Sequence, residues 1–352
     1  MTSISRLTSQ KFANMSFSFV CAILVVCHHF AVIGDPGSGL WWFAKLLGQG
    51  ELGMGGGLSW IAVPWFFFAS GFFLAGHMDE KGWWRREAIK RLRTLVMPFF
   101  FWCIAGIALL SVMDVLQGRH LFFGTLNAIL KGVGAYPNSV VNPMASQLWF
   151  VRALVMLVII SPIILRFMGV WWLVATFVLY AIVAPFDGLE LHPFFRYGFS
   201  LEGLFYFSIG LFLRRHFSFS VINLLILAIV CCILGMGLLI LHSVAFLQGV
   251  YLTNYLNYIA TPLLLCGLWS IIPSSPFPKV LTSAAFPIYL MHRFFWWPMN
   301  GFVRKIFSLH EFPPEAWVIV YFLVLGVVCP IVAAWVLRRS LPCFANFAFG
   351  GR

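Results

Sequence analysis

Charge is what this sequence has least of. Charged residues make up 10% of its 352 positions, where a soluble domain carries roughly 25%. That scarcity excludes an ordinary soluble fold. No polar stretch is long enough for a separate water-exposed domain, so 1–352 reads as one unit. Acidic residues are scarcer still, 11 against 23 basic ones, which leaves a net charge of +12. The excess does not point to nucleic acid. Most of it lies in short connections, where membrane topology and anionic headgroups would place it. Metal-ligand spacing is also missing. Of eight cysteines, Cys21, Cys27, Cys103, Cys231, Cys232, Cys266 and Cys329 lie in apolar runs and Cys343 near the end. Such thiols are small packing residues, and neither a metal nor a disulfide is expected. The first apolar run has no small-residue cleavage site, so it reads as a span and not as a signal peptide.

What is present is apolar sequence: 61% of the residues are hydrophobic and the mean hydropathy is +0.93. These values predict an all-α polytopic membrane bundle of about ten transmembrane helices. Apolar segments run near 12–33, 58–77, 92–116, 147–167, 170–186, 200–213, 218–245, 255–272, 282–298 and 315–337, the ninth interrupted by Pro287. With the N-terminus inside, ten crossings put Arg85 to Arg93, Arg166, Arg214–Arg215, Lys279 and Arg338–Arg339 on the cytoplasmic side. An odd number of crossings would send a paired basic cluster outward, so both termini are expected in the cytoplasm. Two outer connections, near 34–57 and 117–146, exceed what a turn needs. Each is either a flexible connector or a cover over a polar substrate.

The stretch Ala62 to Trp102 joins two of these runs through a short hinge that carries Arg85, Arg86, Lys90, Arg91 and Arg93. Translocating such a cluster is disfavoured, so it marks the cytoplasmic side. It is also suited to a polyanion such as a nucleotide phosphate. Topology signal and phosphate site are compatible roles.

Ionisable groups inside a membrane cost several kcal/mol unless paired or hydrated, which makes each a functional candidate. His28 and His29 lie deep in the first apolar run, FANMSFSFVCAILVVCHHF. Adjacent helical positions differ by about 100° in azimuth, so the two rings cannot face the same way. Catalysis or proton transfer by one competes with a packing role. Arg152 in QLWFVRALVML either snorkels to the interface or contacts substrate. His292 in FPIYLMHRFFWW is near mid-span, and its neighbour Arg293 needs a partner or a cavity. Glu202 opens the sixth run, where a capping role is expected.

Several stretches together resemble acyltransferase family 3, a family of membrane-bound acyl-CoA-dependent O-acyltransferases. WIAVPWFFFASGFFL followed by KRLRTLVMPFFFW is similar to its second-and-third-helix signature, and SQLWFVRALVMLVIISPII to its fourth-helix motif. SLEGLFYFSIGLFLRR and SAAFPIYLMHRFF resemble later segments, and VVCHH resembles the first-helix motif that ends in histidine. These matches follow family order over nearly the whole chain. The resemblance implies a ten-helix bundle that moves an acyl group, usually acetyl, from cytosolic acyl-CoA to sugars of envelope polysaccharides or glycolipids in the bacterial cytoplasmic membrane. It places the family histidine on His29, with Val25 and Val26 aligned. The family's arginine, eleven residues earlier, would then be Ser18, or Phe17 if His28 is the match. Neither is basic, so Arg152 and His292 become candidate substitutes. The soluble hydrolase-like domain of some members is not expected.

An O-acyltransferase needs a base for the acceptor hydroxyl, or a nucleophile to hold the acyl group; a buried neutral histidine serves for either. The donor acyl-CoA would anchor its phosphates on Arg85, Arg86, Lys90, Arg91 and Arg93. The competing readings are a transporter of an acyl group, small anion or lipid-linked sugar, and a non-catalytic assembly subunit in which neither histidine matters.

Overall fold

The computed structural model describes residues 3–28, 58–76, 78, 80–116, 148–183, 199–216, 229–241, 254–271, 278–306 and 323–351. These residues form helices and no strand, as an apolar chain must if every backbone group is to be satisfied away from water. Helix α1 is Ser3–His28. A 3-10 turn, Leu58–Ile61, runs directly into α2, Ala62–Ala75. Next come α3, Trp83–Arg91, and α4, Met97–Leu116, joined by a π-helical turn at Leu92–Val96. Then follow α5, Trp149–Phe167, α6, Val170–Val183, and α7, Leu201–His216. Beyond them lie α8, Ile229–Leu241, α9, Asn254–Ile271, the short α10, Lys279–Thr282, and α11, Ala285–Ile306. A second π turn, Val324–Val328, leads into α12, Cys329–Ser340, and α13, Pro342–Phe349, ends the chain.

Three described helices are long and apolar enough to cross a membrane: Leu58–Ala75, Trp83–Leu109 and Trp149–Phe167. Shorter apolar helices are Met15–His28, Val170–Ile182, Ile229–Leu241 and Ile259–Leu268. The all-α membrane class is thus as expected.

Proline accounts for the two π-helical turns. Pro98 and Pro330 each lack the N–H that would bond the carbonyl four residues back, and that carbonyl belongs to Thr94 or Gly326. Both carbonyls sit inside the two π turns, where the wider winding relieves the ring clash. In α5, Pro162 frees the Val158 carbonyl, and the Ser161 hydroxyl donates to it at 2.7 Å. Pro287 does not break its segment as expected. The break falls at Ser283–Ala284, and Pro287 stands in the first turn of α11, where a missing N–H costs little.

The tightest packing joins α2 to α7, which run parallel. A Cβ on Gly71 would strike the Phe207 carbonyl, and one on Gly210 the Phe68 carbonyl and, at 2.8 Å, the Phe72 amide. Near the start of the pair, a Cβ on Gly203 would meet the Phe67 ring at 2.7 Å. Small residues at three levels therefore bring the two backbones together. Helix α1 packs against both α2 and α11. Phe17 and Trp65, both fully buried, meet edge to face at 4.5 Å. At the other end of α2, α13 folds back onto α4: Trp102 Nε1 donates to the Ala348 carbonyl at 2.9 Å. Gly350, at φ 65°, closes this helix against the Thr94 backbone, a conformation only glycine takes without strain.

Candidate active site

The parallel α2–α7 pair sets the start of one helix beside the start of the other. The Leu58–Ile61 turn brings Ser59 and Trp60, and the first turn of α7 brings Glu202. Trp149 begins α5, and His28 is the last described residue of α1. These residues, with Val25, Val63, Pro64 and Tyr289, line a cleft of about 220 Å³. That is below the roughly 300–1,000 Å³ of a pocket for a drug-sized ligand, so it admits a reacting end and not a whole nucleotide. The N-termini of α5 and α7 carry partial positive charge toward it.

His28 is half-buried, and its Nδ1 lies 3.1 Å from Ser59 Oγ. Glu202 Oε1 accepts from the Tyr180 hydroxyl at 3.4 Å. The expected capping role belongs to another residue: Ser200 Oγ accepts from the Gly203 amide at 2.9 Å, which is N-cap geometry. Glu202 itself lines the cleft. The Trp60 indole Nε1 is sheltered and has no hydrogen-bond partner among the described residues. An unmade buried hydrogen bond costs about 1–3 kcal/mol, which marks this donor as one waiting for an acceptor.

His29 lies outside the described residues. Arg152 stands in the first turn of α5, half-buried and within electrostatic reach of Cys103 in α4, and it does not line the cleft. His292 is buried in α11, where its Nδ1 lies 3.1 Å from the Ile288 carbonyl and 2.9 Å from the Tyr289 carbonyl. Carbonyls only accept, so that nitrogen carries the proton and the ring is locked to its own helix. Among the described residues Arg293 acts electrostatically on His28, and it also reaches Tyr289 and His292. At the positions where the family arginine would stand, Phe17 packs on Trp65, and Ser18 Oγ accepts from Trp65 Nε1 at 3.0 Å. An aromatic pair and a hydroxyl fill that place.

Sequence reasoning missed Ser59, Trp60 and Tyr289. Serine, tryptophan and tyrosine in apolar helices carry no charge signal, so nothing local distinguished them.

The basic hinge is helical and mixed. Five of the nine residues of α3 are charged, which keeps it out of the hydrocarbon. Arg91 Nε donates to Glu87 Oε1 at 2.6 Å, and Lys90 Nζ lies 3.4 Å from Oε2. Burial alone would raise the Glu87 pKa; the charges and hydrogen bonds of Arg91 and Lys90 outweigh it and hold the carboxyl below its usual range. Arg86 pairs with Glu80 at 2.5 Å, both largely exposed. Arg85 and Arg93 are exposed and in no ion pair among the described residues. The cluster thus divides into paired and available cations.

Neither a curated protein nor a solved structure matches the chain. The family model described as the acyltransferase domain of acyltransferase family 3 matches residues 19–338. That span contains every residue of the cleft and the whole basic hinge. The chain therefore belongs to acyltransferase family 3 and is a membrane enzyme that transfers acyl groups other than aminoacyl groups.

Proposed function

We propose that the protein is an integral membrane O-acyltransferase. Its donor is cytosolic acyl-CoA, most simply acetyl-CoA, and its acceptor is a hydroxyl on a sugar of an envelope polysaccharide or glycolipid. The observation that carries this reading is a histidine of α1 opening on a cleft with Glu202, Ser59 and the Trp60 N–H, which has no partner among the described residues. The membrane is the bacterial cytoplasmic membrane, crossed about ten times, with both termini inside.

In this reading His28 is the base that takes the proton of the acceptor hydroxyl, and the Glu202 carboxylate accepts hydrogen bonds from neighbouring hydroxyls. Flat aromatic walls at Trp60 and Trp149 suit the apolar face of a sugar ring. Arg293 sets the local potential, a part otherwise open to Arg152 or His292. Arg85 and Arg93, with the exposed, ion-paired Arg86 and Lys90, hold the CoA phosphates on the cytoplasmic side. The pantetheine arm would have to reach inward, since of the donor the small cleft admits only the acyl end.

The test is transfer from labelled acyl-CoA to a sugar acceptor by purified protein in detergent. His28→Ala should lower the rate about 100- to 10,000-fold, as expected for loss of a general base. If His29→Ala is the damaging change and His28→Ala is mild, the base is His29. If neither variant departs from the parental rate, the mechanism is wrong. Mass spectrometry of surface glycans with and without the gene identifies the acceptor.

A further inference from the structure

We propose that Ser59 is a nucleophile that carries the acyl group between donor and acceptor, so that transfer proceeds through a serine ester and not directly. The proposal rests on reading the cleft as the transfer site. Three observations support it.

The first is the pair itself: Ser59 Oγ lies 3.1 Å from His28 Nδ1. That is hydrogen-bond reach between an alcohol and a base, the geometry that activates a serine. The second is position. Ser59 stands in the Leu58–Ile61 turn that runs into α2 and lines the same cleft as the first turns of α5 and α7. A tetrahedral oxyanion on a carbon bonded to Ser59 Oγ would form in that cleft, toward which the N-termini of α5 and α7 carry partial positive charge. The third is Trp60, whose sheltered indole N–H has no partner among the described residues and lines the same cleft. A preorganised donor left unsatisfied in the resting enzyme fits an acceptor that develops only during reaction. Ser59 is itself buried in the cleft wall, which shields an ester there from water.

The chemistry balances without a further reactant. The Ser59 hydroxyl proton passes to His28 as Oγ attacks the thioester carbonyl. Collapse of the tetrahedral intermediate breaks the carbon–sulfur bond, and the CoA thiolate leaves with that proton. The acceptor hydroxyl then gives its proton to His28 and attacks the serine ester. The carbon–Oγ bond breaks, and Ser59 recovers a proton from His28. Two displacements let a bulky donor and an acceptor use one small cleft in turn.

The experiment incubates the purified full chain with radiolabelled acetyl-CoA, and in parallel with longer acyl-CoAs, without acceptor. After acid quench, peptides are mapped by mass spectrometry. The expected result is acyl label on Ser59 that is discharged by a sugar acceptor and absent in His28→Ala. Ser59→Ala should lose the label and at least about 1,000-fold in transfer rate, as removal of a nucleophile does. Ser59→Cys keeps a nucleophile, so its label should become a thioester released by neutral hydroxylamine, which the parental oxygen ester resists. A merely orienting serine predicts no such change. Transfer without label on Ser59, or a Ser59→Ala variant at the parental rate, overturns the proposal and leaves direct transfer at His28. No label together with rates indifferent to His28→Ala and His29→Ala overturns the reading of the cleft as well.

Discussion

Gly71 of α2 rests on the carbonyl of Phe207 in α7, so that a Cβ at position 71 would occupy the space of that oxygen. The reciprocal contact of Gly210 on Phe68 closes the same crossing. Helix separation here is set by backbone against backbone, and a methyl group cannot be accommodated by a rotamer change. Gly71→Ala and Gly210→Ala should each destabilise the protein by about 1–3 kcal/mol or more, the cost of overpacking. Gly237→Ala, where a Cβ meets nothing within 4 Å, is the control. Thermal unfolding in detergent measures all three; equal midpoints would dismiss the crossing as the organising contact.

Because Gly203 continues this packing into the first turn of α7, the same substitutions should move Glu202 relative to Ser59. Glu202→Gln tests that carboxylate directly. It should raise the acceptor KM and leave acyl-CoA affinity at the parental value. A variant with unchanged acceptor kinetics would return Glu202 to a structural role.

The hinge separates stability from affinity. Arg85→Gln with Arg93→Gln should weaken acyl-CoA binding, and high salt should mimic the loss, since exposed charges are screened. Arg91→Gln should chiefly lower the unfolding temperature, because it strands Glu87. Isothermal titration with acyl-CoA distinguishes these outcomes. Parental affinity in the double variant would leave the cluster as a topology signal.

Glu87 also gives a pH signature. Its folded pKa lies below its ordinary value despite burial, because Arg91 and Lys90 stabilise the carboxylate. The sign follows from linkage: the contribution is fully present above the unfolded carboxylate pKa of about 4.3. It is lost as pH falls through the lower folded value. Glu87→Gln should therefore cost about 1–3 kcal/mol near neutrality, and the gap from the parent should close as the medium is acidified below about pH 4. A gap independent of pH would show that the carboxylate charge contributes nothing.

Topology is checked by single-cysteine labelling in a background without exposed thiols. A cysteine at Glu80 should escape an impermeant reagent applied from outside, and one at Ser139 should react. The reverse pattern overturns the ten-crossing arrangement.

The amino-acid sequence by itself determined the class of molecule. Apolar runs, scarce charge and a basic hinge are local, one-dimensional properties, and the bilayer acts on them directly. The family was legible for the same reason, since its motifs are short contiguous stretches spread from VVCHH to SAAFPIYLMHRFF. His28 was legible as a candidate because an ionisable group in apolar sequence stands out. Its partner was not. Ser59 is 31 positions away in sequence, and Glu202 arrives only because three glycines let α7 lie against α2. The hinge cations look alike in sequence, yet Glu87 and Glu80 divide them into paired and available. Tertiary structure decided these matters because contact, burial and ion pairing depend on which helix faces meet. Those faces are set by the close packing of side chains from segments that the sequence keeps far apart.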